Sequence, residues 1–228
     1  MILIASMLGI LIPLNSQEAD SILNQAYKAK IFEFTFDPII PVYNFGRDLD
    51  QTLFGLTAAY YWERNKQDYS FWGVQMNWAH IDSDRNTYFN GVEEVEDLTS
   101  SNFFGAQFML RYYPDFFFWR IEPFAELSFG SNFFTTTTTR YYFDEDNSSD
   151  FDFNEFDFAL SYGLGIGFTT QIVQQFFLVT KCSFYGGNTV TYQYQDGEDE
   201  IVPLDNFRNE TSQTNYIRFQ VGISFTFL

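Results

Sequence analysis

Along the C-terminal stretch "NYIRFQVGISFTFL", large apolar side chains alternate with small or polar ones. Ile217, Phe219, Val221, Ile223, Phe225 and Phe227 fall on one parity; Arg218, Gln220, Gly222, Ser224 and Thr226 fall on the other. A period of two marks a β-strand with two unlike faces. In a water-soluble sheet the large apolar face turns inward. Here that face is unbroken and the opposite one is small and hydrogen-bonding, which is the alternation of a strand with lipid outside and a polar barrel interior.

The same alternation recurs upstream. Over 30–45, Phe32, Phe34 and Phe36 oppose Glu33 and Thr35; over 51–64, Phe54, Leu56, Ala58, Tyr60 and Trp62 oppose Gly55, Thr57, Ala59 and Tyr61. Over 69–82, Trp72, Val74, Met76 and Trp78 oppose Gly73, Gln75, Asn77 and Ala79; over 101–113, Phe104, Ala106, Phe108, Leu110 and Tyr112 oppose Gln107 and Arg111. Residues 119–137 put Ile121, Ala125, Leu127 and Phe129 outward, and 153–169 put Phe156 through Phe168 opposite a face of Asp157, Ala159, Ser161 and three glycines. Over 176–193 the split is less clean, with Leu178, Cys182 and Phe184 against Lys181, Ser183 and Tyr185. With the terminal segment this makes eight strands. An even count lets an antiparallel meander close, and closure is obligatory in lipid because an open edge leaves backbone groups unpaired.

Connections alternate in length. "ERNKQD", "YPDFF" and "TQIVQQ" are short; 83–100, 138–152 and 195–213 are long and polar, while the first outer connection, Asn44 to Asp50, is shorter than these. Short turns on the periplasmic side and long loops outside are the asymmetry of outer-membrane barrels. The stretch "LRYYPDFFFWRIEPFAELSFG" fits this frame. Pro114-Asp115 makes a short turn, and the aromatics on either side sit at the membrane interface. A second aromatic set, Trp78, Phe103, Phe133, Tyr141 and Tyr216, lies toward the opposite strand ends.

Composition sharpens the picture. The 228 residues include 30 Phe, 15 Tyr and 4 Trp, yet mean hydropathy is −0.19, as alternation rather than apolar blocks requires. A net charge of −18 argues against nucleic acid as a partner, because phosphates demand Lys and Arg. One cysteine, Cys182, excludes an intrachain disulfide. Ile2 to Leu14 has the length of a signal-peptide apolar region, although no Lys or Arg precedes it. Residues 1–16 are thus expected to be a signal peptide, with a buried N-terminal segment as the alternative. Residues 17–29 are then a short periplasmic segment and 30–228 the barrel. No later stretch is long and apolar enough for a transmembrane helix.

Three segments carry the strongest likeness to known proteins: "LRYYPDFFFWRIEPFAELSFG", the Gly-rich "LSYGLGIGF" and the terminal "RFQVGISFTFL". Through these the chain resembles the Bacteroidota outer-membrane β-barrel domain family and, more loosely, small OmpA- and OmpX-like barrels. The ending "FTFL" resembles the recognition signal for barrel assembly. The resemblance implies a bacterial outer-membrane location and says little about activity, since the family is defined by architecture.

Candidate chemistry falls in two places. Glu33, Arg111, Glu122, Glu126, Lys181 and Arg218 share the inward parity. An eight-stranded barrel is just wide enough for side chains to fill, so these charges are expected to form a plugging ion-pair network, with a gated ion path as the alternative. Outside, five, seven and six of the 30 acids lie within 83–100, 144–157 and 195–213. The bland reading is a solvated, repulsive surface. The sharper one is a Ca²⁺ loop, since Asp144, Asp146, Ser148, Asp150, Asp152 and Glu155 follow the ligand spacing of an EF-hand, with Ser149 where that loop needs glycine. Bridging to lipopolysaccharide through a divalent cation, or docking to a basic partner, are further readings. The only histidine, His80, lies near Asp82 and Ser83. Two small-barrel enzyme types that modify lipid A use a histidine, but neither motif is present. The chain is therefore expected to be a non-enzymatic outer-membrane barrel, a structural or accessory subunit of a larger outer-membrane complex acting through its acidic loops. A narrow porin-like channel is the first alternative and a lipid A-modifying enzyme the second.

Overall fold

The computed structural model describes residues 29–64, 69–115, 120–143, 148–196 and 202–227. The expected signal peptide and all but the last residue of the N-terminal segment lie outside them. The elements are β1 (Lys30–Pro41), α1 (Tyr43–Leu49), β2 (Leu53–Glu63), β3 (Ser70–Phe89), β4 (Glu94–Tyr112), β5 (Ile121–Tyr142), β6 (Ser149–Val173), β7 (Phe176–Gly187), β8 (Thr189–Gln195), a 3-10 turn (Pro203–Asn206), β9 (Phe207–Gln213) and β10 (Tyr216–Phe227). No helix among the described residues is long and apolar enough to cross a bilayer.

Eight strands close a barrel in the order β1-β10-β7-β6-β5-β4-β3-β2, every neighbouring pair antiparallel. The eight-stranded transmembrane meander is therefore the fold. Following cross-strand partners once around, from Ile40 through Ile217, Phe184, Leu164, Leu127, Leu110, Trp72 and Trp62, returns to β1 at Lys30. That stagger of ten residues tilts the strands and sets a lumen only wide enough for side chains. The outward parity is exposed apolar surface, for example Met76, Leu127 and Ile166, and the inward parity is buried polar, for example Gln75, Gln107 and Gln220. Interior glycines make room for these long polar groups. A Cβ at Gly105 would overlap the Asn77 carboxamide, and one at Gly165 would overlap the Ser183 hydroxyl.

Two expectations about connections are corrected, and the short connection over Asn44 to Asp50 gains a definite shape. The seventh strand does not run to 193. It stops at Gly187, and β8 leaves the barrel to pair with β9 in a separate two-stranded sheet. Gly186 and Gly187 end the run of bulky side chains there, and Tyr192 and Val190 turn inward under apolar cover. The connection between β1 and β2 is a short helix that drives Phe45 and Leu49 into the barrel mouth. Finally, 83–100 and 138–152 are mostly strand. β2 pairs with β3 only up to His80, and β7 pairs with β6 only from Ser161. Above these points β3, β4, β5 and β6 continue as a four-stranded wing.

Two bulges set the faces of the wing. One extra residue at Ile81 and another at Asn154 interrupt the registers of β3 with β4 and of β5 with β6. Without them a period of two would carry acids to the outer face and aromatics inward. With them Asp82 and Asp84 oppose the buried Ser101 and Thr99, and Asp152 and Glu155 oppose Thr138 and Thr136 on the inner face.

Candidate functional site

The lumen is filled storey by storey. At the end where β1 begins, Arg111 is fully buried at the centre of a network. Arg111 and Glu126 are direct cross-strand partners on β4 and β5, and Nε donates to Glu126 Oε1 at 2.6 Å. Across the lumen the guanidinium grips Glu33 with both Nη atoms, Nη2 to Oε2 at 2.8 Å. Its faces lie against Tyr61 and Phe124, each ring centroid 4.0 Å from Cζ. Tyr61 donates to Glu126 at 2.8 Å and accepts from Arg111 at 2.9 Å. Lys181 donates to Glu126 Oε2 at 2.8 Å and to Gln75 at 3.1 Å. Two carboxylates thus meet two cations. Such a storey avoids the cost of buried unpaired charge, and removing one member leaves another stranded.

The expected interior charges do not all meet. Glu33, Arg111, Glu126 and Lys181 form this one cluster. Glu122 points inward but sits exposed at the rim, lining a mouth cavity of about 360 Å³ with Ile31, Tyr113 and Phe177. Arg218 stands on a separate storey, its Cζ 4.7 Å from the Tyr185 ring and Nη2 donating to Tyr216 Oη at 3.3 Å. Sequence reasoning missed Asp37, which is fully buried and accepts from Thr35 at 2.7 Å, from Thr57 and from Gln220 at 3.4 Å. Its parity with Glu33 and Thr35 was the available signal. Tyr61 and Phe124, the two rings that enclose Arg111, are likewise on the inward parity, but nothing local marks them as its partners.

The other mouth is capped. Val190 and Tyr192 of β8 pack with Phe45 of α1 and with Phe103 and Phe134 of the barrel wall; Phe45 meets Tyr192 edge-on at 5.3 Å. Carboxylates anchor this cap. Asp82 accepts from Gln195 N at 3.2 Å, Asp84 from Asn206 Nδ2 at 2.7 Å, and Asp157 from Thr191 N at 2.8 Å. Burial pushes Asp82 above its ordinary value, against the downward pull of the Ser83 and Gln195 amides. Higher in the wing Arg140 holds Asp97 with two bonds of 2.7 Å, and Tyr88 donates to Asp97 at 2.9 Å. The Asp97 bond raises Arg140, and burial followed by the Asp97 bond raises Tyr88.

The spacing that suggested a calcium loop falls on different structure. Asp144 and Asp146 lie outside the described residues, and Ser148 precedes β6. Asp150, Asp152 and Glu155 lie in extended β6 opposite Arg140, Thr138 and Thr136. A calcium loop must curl around its ion, whereas pairing with β5 holds this backbone extended. Among the described residues no three metal-ligating side chains converge. His80 is on the outer face, its Nδ1 3.4 Å from Asn102 Oδ1, to which Trp78 Nε1 donates at 3.2 Å. The bulge at Ile81 puts Asp82 on the opposite face, so the two do not form an acid–base pair.

No family model and no curated protein matches the chain. Among solved structures, a major outer-membrane protein from Thermus thermophilus is similar at 12% identity and TM-score 0.52, covering 88% of this chain and 100% of that one. Neisserial surface protein A is similar at 10% identity and TM-score 0.47, covering 88% and 97%. OprG from Pseudomonas aeruginosa is similar at 13% identity and TM-score 0.46, covering 90% and 98%. Identities this low speak to fold alone. In architecture the chain is an eight-stranded antiparallel transmembrane β-barrel.

Proposed function

We propose that this chain is a non-enzymatic, non-conducting integral protein of the bacterial outer membrane that serves as a structural or accessory subunit of a larger outer-membrane complex. The observation that carries the reading is a contrast. The lumen is filled by a paired ionic storey and closed by an aromatic cap, while among the described residues the wing keeps one face and its strand edges uncovered by any further strand. On this reading the outer wall contacts membrane lipid and lipopolysaccharide, the short turns and both termini face the periplasm, and the acidic wing faces the exterior and meets protein partners. Planar-bilayer recordings of the refolded chain are expected to show no steady conductance. Co-purification in mild detergent is expected to recover partners from cells carrying the full chain and to lose them when the wing above His80 and Ser161 is trimmed. Steady ion-selective steps, or partners indifferent to trimming, would sink the proposal.

A further inference from the structure

We propose that the open edge of β6 accepts an extended strand in which Lys or Arg alternates with apolar residues; this rests on the partner-docking reading above. β6 is paired with β5 along the whole wing. On its other side β7 ends at Gly187, opposite Ser161, the Asn188 amide reaches the Leu160 carbonyl, and the Thr191 amide takes the Asp157 carboxylate. From Ser149 to Phe156 no described strand covers that side, leaving about 25 Å of pleated backbone whose Phe151 amide is held only by the neighbouring Asp150 carboxylate, at 2.9 Å. Such an edge templates a further strand unless its side chains forbid it.

The side chains select the occupant. "SDFDFNEF" alternates acid and phenylalanine, and the extra residue at Asn154 keeps the two faces consistent across the bulge. Asp150, Asp152 and Glu155 line the inner face and pair with no described cation; Arg140, opposite Asp150, is engaged by Asp97. Phe151, Phe153 and Phe156 line the outer face, each more than half exposed. Residues of an added strand lie beside those of β6 on the same face, close enough to pair charges. Cations on one parity would meet the acids while apolar groups on the other extend the phenylalanine row. A slip of one residue sets cation against ring, so pattern matters as well as composition. A second β6 is a poor occupant, because antiparallel self-pairing aligns acids with acids. The net charge of −18 also steers cationic segments toward the chain.

The test uses the full chain refolded in zwitterionic-lipid nanodiscs, with empty nanodiscs as background. Three blocked peptides serve as probes: alternating Lys and Val, the same residues in two blocks, and alternating Glu and Val. The alternating Lys–Val peptide is expected to bind, to slow amide exchange over Phe151–Asn154, and to weaken with salt. The block peptide should bind about tenfold or more weakly, and Asp150→Lys/Asp152→Lys should transfer the preference to Glu–Val. Retained heat-modifiable gel mobility verifies that the variant is folded, and the salt series on the native chain stands independently of it. Equal binding of the block peptide, an unchanged preference in the folded variant, or self-association of the chain without peptide would overturn the proposal. Wing-dependent co-purification without peptide binding overturns the edge chemistry alone. Peptide binding without wing-dependent co-purification upholds that chemistry and removes the accessory role.

Discussion

Arg111 shows how one side chain organises a barrel interior. It satisfies two carboxylates and two tyrosine hydroxyls while lying between two rings. Arg111→Ala strands Glu33 and leaves Glu126 with Lys181 as its one cation beside the Tyr61 hydroxyl, so a loss of roughly 3–5 kcal/mol is expected, read from urea unfolding in lipid or from the gel shift. An unchanged unfolding midpoint would mean that water already reaches this storey. Asp82 makes a prediction about pH. Its docked value lies above its ordinary 3.8, so its contribution to cap docking is complete below that value and is lost as pH rises through the docked one. Amide exchange at Gln195, corrected for intrinsic rates, should therefore quicken from acid toward neutral pH, and Asp82→Asn should flatten the trend. The opposite slope would mean that the amide bonds to the carboxylate outweigh its burial.

Among the elements, barrel and cap are separable. β8 and β9 pair only with each other, and the barrel ladder closes without them. Replacing Thr189–Gln213 by a short Gly–Ser link should leave the heat-modifiable gel shift intact. It should also leave conductance near zero, since the Arg111 storey still blocks the lumen. Conductance that appears on removing the cap would place the barrier in the cap alone. The strands were legible in sequence wherever lipid faces one side and packed polar groups the other, as in β10 and the lower half of β6. Legibility failed at Gly187, where β8 leaves the barrel, and through 83–100, whose polarity suits a loop and the water-exposed strands of the wing alike.

Across the molecule, the wing and the short turns lie at opposite ends of one barrel, and the proposed orientation puts the turns in the periplasm. A protease added to intact cells should cut at the wing tip, Asn90 to Glu93, and spare the turn between Arg64 and Tyr69. Cleavage confined to that turn would invert the orientation. The charge distribution also acquires a purpose here. Asp82, Asp84 and Asp157 hold the cap and Asp97 holds Arg140, while Asp150, Asp152 and Glu155 remain along an open edge.

The barrel itself follows from the order of residues. Alternation is a local property with a period of two, and in lipid every backbone group must be paired, so eight two-faced strands must close on themselves. Which charges point inward follows in the same way, because parity alone decides that. Which of them meet does not. The ten-residue stagger brings Glu33 to Arg111 across the lumen, sends Glu122 to the rim and leaves Arg218 on another storey. Stagger is a property of closure that no strand carries alone. The cap and the wing faces arise at the same level. Single-residue bulges at Ile81 and Asn154 exchange inside for outside without changing composition, and a bulge becomes visible only once each strand has found its neighbour.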